Sequence, residues 1–164
     1  MPEILTKLSE LAQKPRVVLF GLPGSGKTTL GRKLELGYEY TFYDTDNDLT
    51  PECIVACDNN LPFTSKMRRA WHDAINAHTS ELVQGRSKIA IASPFSRDSY
   101  RREFKALFPD FEFVYVEIPN PVRMARVLTR QEAVPNHPLT IGYALECATT
   151  FETVSFPVVH YHNH

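Results

Sequence analysis

No apolar run in the 164-residue chain approaches ~18 residues, the length a helix needs to cross a bilayer, so no membrane span is expected. Met1 to Lys14 holds no long apolar stretch of the kind a secretory signal carries. Cysteine is scarce and odd in number, with Cys53, Cys57 and Cys147. An odd count without a leader excludes a fully paired disulfide framework and points to a reducing, cytoplasmic setting. Neither sign of charge dominates: 18 Lys and Arg stand against 19 Asp and Glu, a net charge of −1. That balance leaves no electrostatic footprint for nucleic acid. Internal repeats, linkers and low-complexity tracts are also missing, so residues 1–164 read as one domain.

Metal-binding patterns are equally thin. Cys53 and Cys57 stand four apart and can share a helix face, but no second His or Cys pair lies at zinc-site spacing, so they read as buried thiols. His160, His162 and His164 alternate near the end of the chain and read as a strand end or a frayed tail.

What is present is an alternation of short apolar strands with helical patterns. The spacing of Ile4, Leu5, Leu8, Leu11 and Ala12 predicts a helix over residues 3–13. Strands are predicted at 16–20, 40–43, 88–92, 111–117 and 158–162. Between them, helices are predicted at 27–36, 51–57, 65–84, 100–107, 121–130 and 139–151. Strands alternating with helices specify a parallel sheet with right-handed crossovers. Ligands of such sheets bind at the carboxyl ends of the strands. The expected fold class is therefore α/β, with three layers around a central parallel sheet. A lid segment is expected at about 126–140.

The first strand runs into Gly21-Leu22-Pro23-Gly24-Ser25-Gly26-Lys27-Thr28, a complete G-x-x-x-x-G-K-[ST] motif. Its residue types follow from the chemistry of a polyphosphate. Gly21, Gly24 and Gly26 let backbone N–H groups approach the anion without side-chain crowding. The helix that follows presents its unpaired N–H groups and positive dipole end. Lys27 supplies a cation for the β and γ oxygens, and the Thr28 hydroxyl is a ligand for Mg²⁺. Gly21, Gly24, Ser25, Gly26, Lys27, Thr28 and Thr29 are accordingly the expected nucleotide-binding residues, with ATP and Mg²⁺ as cofactors.

The second strand ends in Asp44-Thr45-Asp46. Carboxylates on alternate positions point different ways. One can face the metal or an attacking hydroxyl, and the other can take hydrogen bonds from a polyhydroxylated acceptor. Asp44 is thus a candidate catalytic and metal residue, and Asp46 a candidate substrate residue. The same run is also good turn and capping chemistry, and Asp48 reads as a solvated or capping residue. Among the arginines, Arg97 follows the third strand on the ligand side. Arg126 and Arg130 stand four apart on one helix face ahead of a Pro-rich loop. They suit a lid that excludes water and brings positive charge to a transferring phosphoryl, Arg130 as a catalytic and Arg126 as a nucleotide-binding residue. Arg16, Arg32, Arg69, Arg101 and Arg102 read as surface residues. Trp71 reads as core.

Several of these stretches resemble gluconate kinases. Pro62-Phe63-Thr64 with Arg68 and Trp71 is similar to that family's P-L-T-x-x-x-R-x-x-W segment. Ala92 to Arg97 followed by Tyr100-Arg101 is similar to C-S-A-L-K-R-x-Y-R. Arg126 to Arg130, His137 and Phe151 to Pro157 resemble its lid and following segment. The resemblance implies a three-layer P-loop NTPase fold of nucleoside monophosphate kinase type and transfer of the ATP γ-phosphate to the 6-hydroxyl of D-gluconate. It implies Asp44 as base or Mg²⁺-linked carboxylate, Arg68 and Arg97 as holders of the sugar acid, and a monomer or homodimer acting on a small molecule. The chain departs from the family where the acceptor and lid lie. The His of D-G-D-x-x-H is Leu49, the Lys of C-S-A-L-K is Ser96, and Pro138 follows His137 where the family has G-H-F. Phe42-Tyr43-Asp44-Thr45-Asp46 also resembles the F-[FY]-D-[ST]-D of shikimate kinases, whose G-G-G turn is here Ala92-Ser93-Pro94. Two further readings stay open. One is a nucleoside or nucleotide kinase stacking its acceptor on Phe63, Trp71 or Phe95, and the other is an ATP-binding module whose catalysis has decayed.

Overall fold

The computed structural model describes residues 1–133, 147 and 150–163, the side chains of residues 130–133 excepted. In chain order the elements are β1 (Ile4–Leu5), α1 (Leu8–Leu11), β2 (Arg16–Phe20), α2 (Lys27–Tyr38) and β3 (Thr41–Asp44). A 3₁₀ turn (Thr45–Asp48) follows, then α3 (Pro51–Asp58), α4 (Ser65–Gly85), β4 (Ile89–Ser93), α5 (Asp98–Leu107), β5 (Glu112–Glu117), α6 (Asn120–Ala133) and β6 (Val159–His162).

All six strands form one parallel sheet in the order β1-β6-β5-β2-β4-β3. Val17, Val18, Leu19 and Phe20 of β2 are fully buried, and so is all of β4, as expected of parallel strands covered on both faces. Alternate residues serve opposite layers. Val17 and Leu19 join Leu11, Leu30 and Leu34 on the α1–α2 side. Val18 and Phe20 join Cys53, Trp71, Ile75 and Phe104 on the α3–α4–α5 side. The three-layer α/β expectation is met. Because β4 and β5 flank β2 on opposite sides, the chain reverses direction across the sheet at β2 and leaves a crevice at its carboxyl end.

The helix expected over 3–13 is corrected. Ile4 and Leu5 instead extend the sheet, pairing with His160 and Tyr161, and the helix shrinks to Leu8–Leu11. Leu5 turns into the core while Ile4 stays 53% exposed, the two-residue period of an edge strand. Propensity and spacing could not reveal this, because the partner lies about 155 residues away along the chain.

The helix expected over 139–151 falls almost wholly outside the described residues. Cys147 and Thr150 are helical, and residue 151 is not. Pro135, His137 and Pro138 also lie outside. No helix among the described residues is long and apolar enough to cross a membrane.

Candidate active site

The glycine-rich loop wraps the carboxyl end of β2 because only glycine fits it. Gly24 has φ 83°, and a Cβ there would stand 2.7 Å from the Arg123 carbonyl oxygen on α6. Gly26 has φ 94°, and a Cβ there would collide with Asn163 Nδ2. Gly26 occupies the N-cap position of α2, so the helix opens directly off the loop. Lys27 folds back over it, and its Nζ donates to the Gly21 carbonyl at 2.9 Å and the Leu22 carbonyl at 2.8 Å. It also lies 3.5 Å from the hydroxyl of buried Ser25.

Thr28 Oγ1 donates to Asp44 Oδ2 at 3.1 Å, joining the start of α2 to the end of β3. The other oxygen, Oδ1, accepts the Asp46 N–H at 3.0 Å and caps the 3₁₀ turn. Turn chemistry and site chemistry therefore reside in the same carboxylate. The turn is anchored from two further sides: Thr45 Oγ1 donates to the Ala92 carbonyl at 3.2 Å, and Trp71 Nε1 donates to the Thr45 carbonyl at 2.9 Å. Tyr43 Oη donates to Asp48, which also contacts His78 Nδ1 at 2.8 Å. Asp48, expected to be solvated or capping, ties β3 to α4 instead.

Pro23, Gly24, Gly26, Lys27, Thr28, Asp44, Asp46, Ala92, Ser93 and Pro94 line a cleft of about 480 Å³. A second cleft of about 440 Å³ adjoins it at Pro94. Its walls include Phe63, Arg68, Trp71, His72, Phe95 and Arg97. Arg68 is partly committed, donating from Nη1 to the Phe63 carbonyl at 2.6 Å. Arg97 Nε is buried without a hydrogen-bond partner among the described residues. His72 stacks on Tyr100, ring centroids 3.9 Å apart. Burial, aided by the nearby Arg69 charge, pushes its pKa down to about 3, so the imidazole is neutral and serves as an aromatic wall.

Several expected residues thus converge: Gly24, Gly26, Lys27, Thr28, Asp44 and Asp46 line the first cleft, and Arg68 and Arg97 the second. Asp46, expected among substrate residues, stands beside the phosphate loop and not in the second cleft. Gly21 and Ser25 lie under the loop and meet Lys27 from below. Thr29 is exposed on α2 and is not among the residues lining either cleft. Arg126 is exposed at the loop edge, its Nη1 beside Gly26. The side chain of Arg130, and His137, lie outside the described residues.

Three residues escaped the sequence reading. Ser93 Oγ is buried in the first cleft with no partner, and its place at a strand's carboxyl end was the available signal. His72 and Arg123 carried none. Arg123 is buried under the loop and donates from Nη1 to the Pro23 carbonyl at 3.2 Å, with its Nε unpartnered. The thiols are as expected: Cys53, Cys57 and Cys147 are buried, and burial together with Asp46 pushes Cys57 up to about 12, which keeps it inert.

The profile of the AAA domain matches residues 17–137, from β2 through the phosphate loop and the described part of α6. The chain belongs to the AAA domain family. This AAA domain is also similar to a shikimate kinase of Cupriavidus pinatubonensis, 34% identical over 80 residues. That match covers 49% of this chain and only 40% of the relative's length. A sugar kinase from Janibacter sp. HTCC2649 superposes with a TM-score of 0.75 at 20% identity, over 92% of this chain and 84% of that one. A gluconokinase from Sinorhizobium meliloti 1021 gives 0.70 at 22% identity, over 91% and 82%. At such identities the two structures share the fold with this AAA domain.

The site also fits the cofactors expected of a phosphate loop. The glycine cradle leaves no room for a Cβ, Lys27 sits on the loop, and an orphaned hydroxyl, Ser93, faces the same cleft. Thr28 and Asp44 offer two hard oxygens, the donor type that Mg²⁺ prefers alongside substrate phosphates and water. Among the described residues no three His, Cys, Asp or Glu side chains gather to hold a metal by themselves.

Proposed function

We propose that this chain is a P-loop kinase that transfers the γ-phosphoryl of ATP to a hydroxyl of a small hydroxylated carboxylic acid, with D-gluconate the leading acceptor. The observation that carries the reading is the pairing of two joined clefts. In one, Lys27, Thr28 and Asp44 surround a phosphate cradle. The other is walled in part by Arg97, whose Nε is buried with no hydrogen-bond partner among the described residues. A buried guanidinium N–H without a partner is costly, and a carboxylate satisfies it with a charge-assisted bond.

In this reaction the acceptor oxygen bonds to the γ-phosphorus, the bond from that phosphorus to the β-γ bridging oxygen breaks, and ADP leaves. Loop amides and Lys27 hold the phosphates. Lys27 exchanges its bonds to the Gly21 and Leu22 carbonyls for the β and γ oxygens, which places positive charge where negative charge builds. Asp44 takes the hydroxyl proton, and Asp46 accepts hydrogen bonds from the acceptor. Arg68 and Arg97 orient the acid, while Arg126 and Arg130 add charge from α6. Thr28 and Asp44 would hold Mg²⁺, which would supply further charge neutralisation at the phosphates.

Shikimate is the second acceptor to test. It is favoured by the 34%-identical relative, a shikimate kinase, and by Phe42-Tyr43-Asp44-Thr45-Asp46. Purified protein with Mg·ATP would be assayed for ADP release against D-gluconate, shikimate and nucleosides. Acid-dependent ADP release supports the proposal, and turnover with nucleosides alone rejects it. ATP binding by calorimetry without turnover of any acceptor would identify a decayed nucleotide-binding module instead.

A further inference from the structure

Arg101, expected at the surface, is completely buried. Its Nε donates to the Phe95 carbonyl at 2.6 Å, its Nη2 to the Ser96 carbonyl at 3.1 Å, and its Nη1 to Asp98 Oδ1 at 3.3 Å. The guanidinium lies over the Phe151 ring, 4.6 Å from its centroid, and 5.4 Å from that of Phe20. A core position that needed only volume would be filled more cheaply by an apolar side chain, because a buried guanidinium must be paired on every side. Here two of its three acceptors are the backbone carbonyls immediately before Arg97.

The same turn is strained. Phe95 has φ 38°, a left-handed conformation rare for a residue with a large side chain. Such a conformation persists only where surrounding bonds over-determine it. Arg101 grips the turn from the core, and residues 152–155 grip it from outside. The Glu152 N–H donates to the Ser96 carbonyl at 2.8 Å, the Asp98 N–H to Glu152 Oε1 at 2.8 Å, and the Ser155 N–H to Asp98 Oδ1 at 3.1 Å. Beside this bonded frame, the Nε of Arg97 is buried with no hydrogen-bond partner among the described residues.

We propose that Arg101 is a positioning residue: its fork holds Phe95 in the left-handed conformation and so fixes the direction in which Arg97 faces the second cleft. The kinetic consequence rests on the reading of that cleft as the acceptor site, whereas the mechanical link between Arg101 and Arg97 does not. A filler of the core would support stability without directing Arg97.

The test compares wild type with Arg101→Lys, which keeps the charge and loses the fork, and Arg101→Met, which keeps the length and loses the charge. Arg97 is followed by its rate of modification with phenylglyoxal, read by mass spectrometry. The turn is followed by hydrogen exchange at the Asp98 and Glu152 amides. In a folded variant the modification rate should change at least five-fold and exchange should quicken at least ten-fold. With D-gluconate or shikimate, whichever the wild type phosphorylates, the acceptor KM should rise at least ten-fold while the ATP KM stays within two-fold.

A folded Arg101→Lys protein with unchanged Arg97 reactivity and unchanged exchange overturns the proposal. So does loss of folding in both variants, since that is the behaviour of a purely structural residue. If the wild type phosphorylates no acid, the acceptor reading fails, and the labelling and exchange data still decide the role of Arg101.

Discussion

The two clefts that meet at Pro94 handle their charged groups in opposite ways. In the phosphate cleft the charged groups are already engaged, Lys27 with the Gly21 and Leu22 carbonyls and Asp44 with Thr28, and only the neutral Ser93 hydroxyl lacks a partner among the described residues. In the neighbouring cleft, aromatic walls surround Arg97, whose buried Nε has no partner among the described residues. In the first, Lys27 bonds carbonyls of its own loop and Asp44 takes the Thr28 hydroxyl, bonds that can be exchanged when a polyphosphate arrives. The second is assembled from side chains of separate segments, and it leaves to its ligand a bond the protein does not make. Donor binding should therefore depend on loop geometry, and acceptor binding on a few individual side chains.

Lys27→Ala is the strongest way to break that contrast. Removing the phosphate-clamp charge should lower kcat/KM about 10³-fold, roughly 4 kcal/mol of transition-state stabilisation. Unchanged ADP release would remove Lys27 from the mechanism.

The wall of the second cleft makes a prediction about pH. The pKa of His72 falls from 6.5 to about 3 on burial, so the folded protein binds fewer protons than the unfolded chain between those values. Its contribution to stability is complete above about pH 6.5 and is lost as the pH falls toward 3, with about 3 kcal/mol of that loss falling between pH 7 and pH 4. Urea titrations from pH 4 to 7 should show this slope in wild type and a shallower one in His72→Phe. Equal slopes would mean that His72 is not the group responsible.

Arg97→Met should raise the acceptor KM some tens-fold, about 2 kcal/mol for a lost charge-assisted pair, and leave the ATP KM alone. A parallel rise in both constants would erase the proposed division between the clefts. Gly24→Ala should act the other way, weakening ATP binding. Its Cβ would press on the Arg123 carbonyl from a left-handed backbone, and a melting curve should show a loss of about 1–2 kcal/mol. A neutral substitution there would show that the loop yields easily to its neighbour on α6.

The same contrast explains what could be read in advance. The phosphate loop, β2 and the Asp44 turn are local: their glycine spacing, apolar run and capping chemistry sit in consecutive residues, and the folded loop follows them. Arg101 reads as a surface residue because arginine usually is one, and nothing in its neighbours announces the strained turn at Phe95. Arg123 is hidden in the same way. It becomes part of the site only when α6 docks on the loop, 100 residues earlier in the chain.

Sequence alone determined the alternation of strands and helices, the phosphate loop and the carboxylate that follows β3, because each is encoded in the conformational preferences of a few adjacent residues. Tertiary structure alone decided that residues 4 and 5 join the sheet, that His72 and Phe95 form one aromatic wall, and that Arg101 is buried against the carbonyls just before Arg97. These depend on contacts between segments distant in sequence, whose energies come from burial and pairing and leave no periodic trace along the chain.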